Sequence, residues 1–294
     1  MSLRTTLQGT GVALITPFSS DLKVDFNSLG KVIDAMINGG VEYLVTLGTT
    51  GETPTLDKQE KLDIVNYTFE KVAGRVPVVV GIGGNNTAEL INDLHKFPLD
   101  QAIAVLSASP NYNKPSQEGI FQHYKALAAE SPKPILLYNV PGRTGRNMTA
   151  ETTLRLAEVS NIAGMKEASG DMAQCMQLLR DMPKDFLLVS GDDALALPQL
   201  ACGMHGVISV AANAFPAEFS NMVRACLKND YAGAKKINDT LLDAYDLMFC
   251  ENNPAGVKAF MAEQGLISNE VRLPVVTLSS EVHSKVKQYL DNRN

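Results

Sequence analysis

The chain has few of the residues that build metal sites and disulfide frameworks. Its 294 residues include no tryptophan, four cysteines and four histidines. The cysteines stand singly, at Cys175, Cys202, Cys226 and Cys250. None belongs to a Cys-x-x-Cys pair or lies near a histidine at metal-ligand spacing, which argues against zinc and predicts reduced, mostly buried thiols. The histidines are equally isolated and are expected to be structural or exposed: His95, His123, His205 and His283.

Positive charge and long apolar runs are also scarce. Lys and Arg number 26 against 32 Asp and Glu, which gives a net charge of −6 and a pI of about 5.3. A nucleic-acid or anionic-membrane surface needs a basic face, so neither partner is expected. The opening MSLRTTLQGTG lacks the apolar core of a signal peptide, and no apolar run approaches the ~20 residues that span a bilayer. A soluble, cytoplasmic protein is predicted.

Nucleotide-binding motifs are missing as well. The first apolar run ends at Thr16-Pro17-Phe18 without the glycine pair of a dinucleotide-binding fold, and there is no Walker sequence. The glycine-rich segment at residues 81–84 follows the third run and is interpreted as tight backbone packing. Nothing here predicts a cofactor.

What the chain does have is one repeated pattern, a short apolar run followed by an amphipathic helical stretch. Runs that are nearly all apolar are typical of parallel strands buried on both faces. The runs are Gly11–Phe18, Tyr43–Gly48, Val76–Gly83, Ala102–Ser109, Pro134–Asn139, Ile162–Ala168, Phe186–Asp193 and Gly206–Ala212. The helical stretches that follow them are Phe26–Asn38, Asp57–Val72, Thr87–Lys96, Gln117–Glu130, Ala150–Val159, Met172–Arg180, Ala194–Cys202 and Pro216–Lys228.

Eight such units in succession predict a TIM (β/α)₈ barrel over residues 1–228, since a doubly wound sheet would want the missing glycine motif. Asp57 with Glu60, and more weakly Ser116 with Gly119, have the spacing of helix caps. Residues 229–294 contain three further periodic stretches, Tyr231–Met248, Asn253–Gln264 and Ser279–Tyr289. No linker separates them from the barrel, so they are expected to pack on it as a helical extension.

Lys166 is the sharpest functional signal, because it interrupts the apolar run Ile162–Ala168. A barrel strand points alternate side chains inward, so a lysine there loses water, and loss of water favours the neutral amine that attacks a carbonyl. A structural lysine paired with Glu167 is the alternative, and position alone leaves both open.

Other strand ends carry groups that suit such chemistry, although each also has a plain structural explanation. Tyr138 ends the run before that of Lys166 and could move protons, or be a core aromatic. Thr49 and Thr50, which lie between glycines, could bind a carboxylate, or their side chains could form the hydrogen bonds of their own turn. Arg143 could grip a carboxylate bidentately, or be a solvated loop residue.

The Asp192-Asp193 pair is a candidate for Mg²⁺, but no other acidic strand ends accompany it, so a cap for the seventh barrel helix is the preferred interpretation.

Four segments together resemble the dihydrodipicolinate synthase family, within the pyruvate-dependent class I aldolases that include N-acetylneuraminate lyase. They are GTTGE at 48–52, YNVPGRTG at 138–145, GMKEASG at 164–170 and SGDD at 190–193, each at a predicted strand end. The resemblance implies condensation of pyruvate with L-aspartate 4-semialdehyde to 4-hydroxy-tetrahydrodipicolinate, which opens diaminopimelate and lysine biosynthesis. It implies no metal and no cofactor, since the iminium nitrogen accepts the electrons, and it implies a homotetramer built of dimers.

The same resemblance implies roles for individual residues. Lys166 would form the imine with pyruvate, and Tyr138 would be the acid and base of a proton relay. Thr49 and Thr50 would flank the pyruvate carboxylate, with Thr49 also in the relay. Tyr112 would be a relay tyrosine that reaches into a neighbouring subunit. The remaining positions would bind substrate. Arg143 would bind the carboxylate of the semialdehyde, and Gly191 and Ile208 would line the pyruvate pocket through backbone atoms.

Two matters stay open. The alternative enzyme is another pyruvate aldolase, which would act on a 2-keto-3-deoxy sugar acid, a hydroxyproline-derived keto acid or N-acetylneuraminate. The alternative outside catalysis is a non-catalytic barrel that binds small carboxylates. Arg143 favours an aldehyde with its own carboxylate.

The site where many relatives bind inhibitory lysine matches at Asn85 and Glu89 but has Lys58, Lys61 and Asn111 in place of two histidines and a tyrosine. Added cations would repel lysine, so weak or absent inhibition is predicted.

Overall fold

The chain folds into a closed barrel of eight parallel strands. The computed structural model describes residues 2–293. Each strand pairs with its neighbours in chain order, and the last pairs with the first to close the barrel, so the predicted TIM barrel is confirmed. The strands are β1 Gly9–Ala13, β2 Tyr43–Thr46, β3 Val78–Gly81, β4 Ala104–Ala108, β5 Ile135–Asn139, β6 Ile162–Glu167, β7 Leu187–Ser190 and β8 Gly206–Ser209.

Helices surround the barrel and continue beyond it. They are α1 Leu3–Thr6, α2 Phe26–Asn38, α3 Lys58–Val72, α4 Thr87–Lys96, α5 Gln117–Glu130, α6 Pro141–Thr144, α7 Ala150–Ala157, α8 Met172–Asp181, α9 Ala196–Ala201, α10 Pro216–Leu227, α11 Tyr231–Phe249, α12 Ala255–Glu263 and α13 Ser280–Asp291. Both predicted caps are present. Asp57 accepts from the Glu60 amide at 2.8 Å while Glu60 accepts from the Asp57 amide at 3.0 Å. Ser116 accepts from the Gly119 amide at 3.1 Å.

The predicted strand limits are wrong at several ends. The first strand begins at Gly9, before the predicted Gly11, because the backbones of Gly9 and Gly206 pack together without side chains between them. It ends at Ala13, although the apolar run continues to Phe18. The second, seventh and eighth runs also overshoot, since the buried residues after those strands form turns, such as the 3₁₀ turn Ala211–Asn213. Burial produces the apolar run, and burial does not distinguish a strand from a buried turn.

The C-terminal extension, α11 to α13, packs against the outside of the barrel. The Phe215 ring, just before α10, lies 5.7 Å from the Phe260 ring of α12 and 6.1 Å from the Tyr289 ring of α13, in edge-on contacts. Aromatic pairs at such distances add to the apolar area that they bury. The extension therefore shares a core with the last barrel helix.

Two further expectations concern the cysteines and membranes. Cys175 and Cys226 are buried, whereas Cys202 and Cys250 are exposed, so the prediction of buried thiols is correct for two of the four. All four are free. Within residues 2–293, no helix combines the length and apolarity that crossing a bilayer would take.

Candidate active site

A cavity of about 910 Å³ opens at the carboxyl ends of the strands. Every strand contributes a residue to its wall, either from its last positions or from the loop directly after it. Six of the eight predicted site residues line it: Thr49, Thr50, Tyr138, Arg143, Lys166 and Gly191. The C-terminal extension closes one side with the residues between Tyr245 and Asn253. Strand ends of this barrel type are where its enzymes place their chemistry.

Lys166 and Tyr138 are neighbours in the register of β5 and β6. The Lys166 ammonium lies 4.4 Å from the centre of the Tyr138 ring, and the two residues are 4% and 7% exposed. Gly191 makes room for the lysine, because a Cβ there would come within 2.7 Å of the Lys166 Cε. The amine is therefore buried, packed on a phenol and open to the cavity.

The structural alternative for Lys166, an ion pair with Glu167, does not occur. Successive strand residues point to opposite faces, and Glu167 points away from the cavity. Its carboxylate accepts from the Asn139 and Gln174 side-chain amides, each at 3.0 Å, and from the Ser169 backbone amide at 2.6 Å. Lys166 takes part in none of the salt bridges formed by residues 2–293.

Thr49 and Thr50 belong to a 3₁₀ turn, Thr49–Gly51, directly above the end of β2. The hydroxyl of Thr16 donates to the Gly51 carbonyl at 2.7 Å, and the Asn253 side chain donates to the Thr50 hydroxyl at 3.3 Å. The turn is thus held by groups from elsewhere in the chain. Both threonines line the cavity.

Arg143 lies on the four-residue helix α6, which follows β5, and lines the cavity. Its guanidinium donates to the Asn253 carbonyl at 3.4 Å, and the residue is exposed at the cavity mouth. The sequence showed no sign of α6, which begins at Pro141, ends at Thr144 and is capped by Gly145 with a φ of 75°. This short helix brings a second cationic side chain, besides Lys166, to the cavity wall.

Two predicted site residues are not in the wall. Ile208 is fully buried in β8, opposite Gly11, and packs in the barrel interior. Tyr112 is 86% exposed and has a φ of 66°, so its ring projects into solvent from the loop after β4. Neighbouring Asn111 does line the cavity.

The acidic pair does not cap a helix as predicted. Helix α9 begins at Ala196, and Asp192 accepts from the Ala194 and Leu195 amides in the turn before it, at 3.1 and 3.2 Å. Asp193 instead reaches the turn after β8, where it accepts from the Val210 and Ala211 amides at 3.0 and 2.8 Å. Burial raises the pKa of Asp193 to about 6. No cluster of three or more His, Cys, Asp or Glu side chains suited to a metal occurs in residues 2–293.

The histidines lie outside the cavity wall. Burial lowers the pKa values of His123 and His205 to about 4, and the Nδ1 atom of His123 lies 2.8 Å from the Thr87 hydroxyl. The other two form surface pairs, His95 with Glu130 and His283 with Glu263. These positions agree with the predicted structural roles.

Sequence reasoning missed one ionic group. Lys258 of α12 and Glu52, the residue after the 3₁₀ turn, form an ion pair with an Nζ to Oε1 distance of 2.5 Å. Their side chains are 0% and 1% exposed. The only sequence signal was a lysine in the otherwise apolar segment 255–262, the same kind of signal that Lys166 carried.

Comparison with known proteins agrees with this geometry. The model of the "Dihydrodipicolinate synthetase family" matches residues 6–293. A 4-hydroxy-tetrahydrodipicolinate synthase of Parabacteroides distasonis is 48% identical, over 97% of this chain and 96% of its own. One of Neisseria gonorrhoeae is 46% identical, over 97% and 98%.

Solved structures agree as well. A chloride-inhibited dihydrodipicolinate synthase of Acinetobacter baumannii, in complex with pyruvate, has a TM-score of 0.95 at 37% identity, covering 98% of this chain and 99% of its own. The enzyme of Aquifex aeolicus has a TM-score of 0.94 at 36% identity, covering 98% of both chains. On its sequence, its barrel and the residues that line its cavity, the chain belongs to the dihydrodipicolinate synthetase family.

Proposed function

We propose that this protein condenses pyruvate with L-aspartate 4-semialdehyde to give 4-hydroxy-tetrahydrodipicolinate, as a carbon–carbon bond-forming lyase of diaminopimelate and lysine biosynthesis. One observation carries the proposal: a buried lysine amine, free of any salt bridge within residues 2–293, lies against a tyrosine in the main cavity. The names of the relatives point to the same reaction.

Lys166 is the nucleophile. Its neutral amine adds to the C2 carbonyl of pyruvate, and loss of water gives an imine. The iminium nitrogen accepts electrons when the C3 methyl group loses a proton, which leaves an enamine. The enamine carbon adds to the aldehyde, and the amino group of the second substrate then attacks C2 and expels Lys166, so that one water is released overall. Tyr138 is the acid and base for these proton transfers, with Thr49 in the relay.

Thr50 and the amides of its turn bind the pyruvate carboxylate. Accessible backbone N–H groups beside hydroxyls make charge-assisted hydrogen bonds to an anion. Gly191 and Ile208 complete this part of the site. Gly191 acts by leaving space beside Lys166, and Ile208 supports the floor from inside the barrel.

Arg143 selects the aldehyde. It lines the cavity at an exposed position, and a guanidinium there suits an aldehyde that carries its own carboxylate. A neutral sugar aldehyde would leave that charge without a partner. Arg143 therefore favours the semialdehyde over the sugar substrates of other pyruvate aldolases.

Tyr112 completes the site of a second copy of the chain. An 86% exposed tyrosine on a strained loop is poorly explained in an isolated chain and suits insertion into a neighbour. From the family resemblance we infer a homotetramer built of dimers, for which Tyr112 supplies a contact between copies. We also infer a cytoplasmic protein, in keeping with its four free thiols. The chain divides into a catalytic barrel, residues 1–228, and a helical extension, residues 229–294.

Trapping of the imine tests the mechanism. The protein is incubated with pyruvate and borohydride, and peptide mapping locates the added mass. We expect labelling at Lys166 and none in Lys166→Ala, which should retain its circular dichroism and lose activity to the assay limit. Labelling at another lysine, or no labelling of the unmodified protein, contradicts the mechanism.

A further inference from the structure

The Lys258–Glu52 pair links the C-terminal extension to the threonine turn. The Lys258 ammonium also donates to the Glu270 carbonyl at 2.9 Å and lies 4.2 Å from the centre of the Phe18 ring. The second oxygen of Glu52 accepts from the Arg272 backbone amide at 3.0 Å. Burial lowers the pKa of Lys258 to about 8. Each charge is thus surrounded by partners, as a buried ion pair requires.

Glu52 is placed where its side chain can control the turn. Its backbone amide donates to the Thr49 carbonyl at 3.1 Å, which closes the turn. Its backbone is left-handed, with a φ of 54° and a ψ of 33°. A non-glycine residue rarely adopts this conformation without outside support. The ion pair supplies that support, because it fixes the direction in which the Glu52 side chain leaves the backbone.

Asn253 gives a second link from the same extension. It precedes α12 by two residues and donates to the Thr50 hydroxyl at 3.3 Å. Asn253 and Lys258 therefore contact the turn at its middle and at its end. At the opposite end of the barrel, the ion pair of Arg224 with Glu42, at 2.7 Å, involves neither the turn nor any residue of the cavity wall.

We propose that Lys258 and Asn253 are positioning residues, which hold the Thr49–Gly51 turn in the geometry that binds the pyruvate carboxylate. This inference rests on the proposed function, since it assumes that the turn binds pyruvate. It gives the C-terminal extension a direct part in the site. Without the links the turn relaxes, pyruvate binds more weakly, and Lys166, on β6, keeps its place and its reactivity.

The experiment measures how imine trapping by borohydride depends on pyruvate concentration. Lys258→Met leaves Glu52 buried without its cation, so this variant should lose thermal stability as well as affinity. The double variant Glu52→Gln/Lys258→Met removes both charges and should regain most of that stability. We expect its half-saturating pyruvate concentration to stay raised by about tenfold, with trapping at saturation equal to that of the unmodified protein.

Asn253→Ala is the milder variant, because it removes one hydrogen bond and no charge. A rise of about threefold in half-saturating pyruvate is expected, with a fall in melting temperature of only about 3 °C. Arg224→Met is the matched control, and it should lower the melting temperature without changing the pyruvate dependence.

The outcomes separate this inference from the proposed function. If the unmodified protein traps no pyruvate, the proposed function fails. If it traps pyruvate and the double variant has a normal pyruvate dependence, Lys258 is only structural and the inference is wrong. Should the double variant not fold, Asn253→Ala decides, and a normal pyruvate dependence there overturns the inference.

Discussion

The two ends of the barrel use similar residues for opposite purposes. At the amino end the Tyr43 ring fills the space above Gly11. The Glu42 carboxylate pairs with the Arg224 guanidinium at 2.7 Å and accepts a hydrogen bond from the Thr10 amide, also at 2.7 Å. At the carboxyl end, glycine next to a long side chain leaves an opening, as Gly191 does beside Lys166. These amino-end side chains fill one another's space, whereas the carboxyl end holds a cavity of about 910 Å³.

The difference lies in where the polar groups find their partners. At the amino end the Glu42 carboxylate, the Arg224 guanidinium and the Thr10 amide satisfy one another, so they contribute to stability. At the carboxyl end Lys166 and the threonine turn line the cavity, and Lys166 forms no salt bridge within residues 2–293. Changes to side chains that line the cavity should therefore alter kinetics, and changes to paired groups at the amino end should alter stability. The following predictions test that separation, in order of decreasing effect.

Arg143→Ala should give a large kinetic effect with little loss of stability. We expect kcat/KM for the semialdehyde to fall by about 100-fold, because a charged contact to its carboxylate is lost. Imine trapping with pyruvate should be unchanged, since the exposed Arg143 guanidinium donates to the Asn253 carbonyl at 3.4 Å, whereas Lys166 is buried on β6. Steady-state assays with both substrates, beside trapping assays, measure the two effects. An equal loss of trapping would mean that Arg143 serves pyruvate.

His205→Gln tests the amino end of the barrel. His205 directly precedes β8, and its Nδ1 atom accepts a hydrogen bond from the Leu188 amide at 3.0 Å. Burial lowers the pKa of His205 from 6.5 to about 4. The unfolded chain therefore binds a proton between these values that the folded chain does not, so stability falls as the pH falls from 6.5 to 4. The substitution should remove about 2 kcal/mol of the stability difference between pH 7 and pH 4.5.

Urea unfolding at the two pH values measures this contribution. The control is His95→Gln, the same substitution at an exposed histidine. Activity of His205→Gln at pH 7 should be normal. A large loss of activity in a fully folded His205→Gln protein would contradict the separation of the two ends.

Lysine titration should give the smallest effect. The Lys58 ammonium lies 3.1 Å from Asp93, and the Asn85 side chain donates to the Asn111 carbonyl at 3.3 Å, so groups expected to meet a lysine inhibitor are already paired. We expect activity to stay within about 20% of its starting value up to millimolar lysine, since the extra cations repel its side chain. Strong, saturable inhibition at low concentration would show that the pocket tolerates them.

The repeating units could be predicted because each has a strong local signal. Buried parallel strands are apolar throughout, and helices such as α3 carry a capping box that depends on residues three apart. Lys166 was visible for a similar reason, as a charged residue within an apolar run. Such signals need no knowledge of distant parts of the chain.

The links between distant segments could not be predicted. Glu52 and Lys258 are 206 residues apart, and nothing local tells which carboxylate a buried lysine will meet. The same limit applies to Asp193, whose partners Val210 and Ala211 follow the next strand. The overshoot of the first strand to Phe18 had a related cause, because contacts from α12 and Arg272 bury that ring outside the sheet.

The 206-residue separation of Glu52 and Lys258 also has a consequence for synthesis. At ~5–20 residues per second, a ribosome makes the carboxylate about 10–40 s before the lysine that neutralises it. Over that interval the barrel strands leave the ribosome, while water is still needed to solvate the Glu52 carboxylate. A chain that terminates early, even one that contains Lys166 and Tyr138, would keep this carboxylate unpaired. We expect such fragments to stay open to proteases, so that only chains completed beyond α12 persist as enzyme.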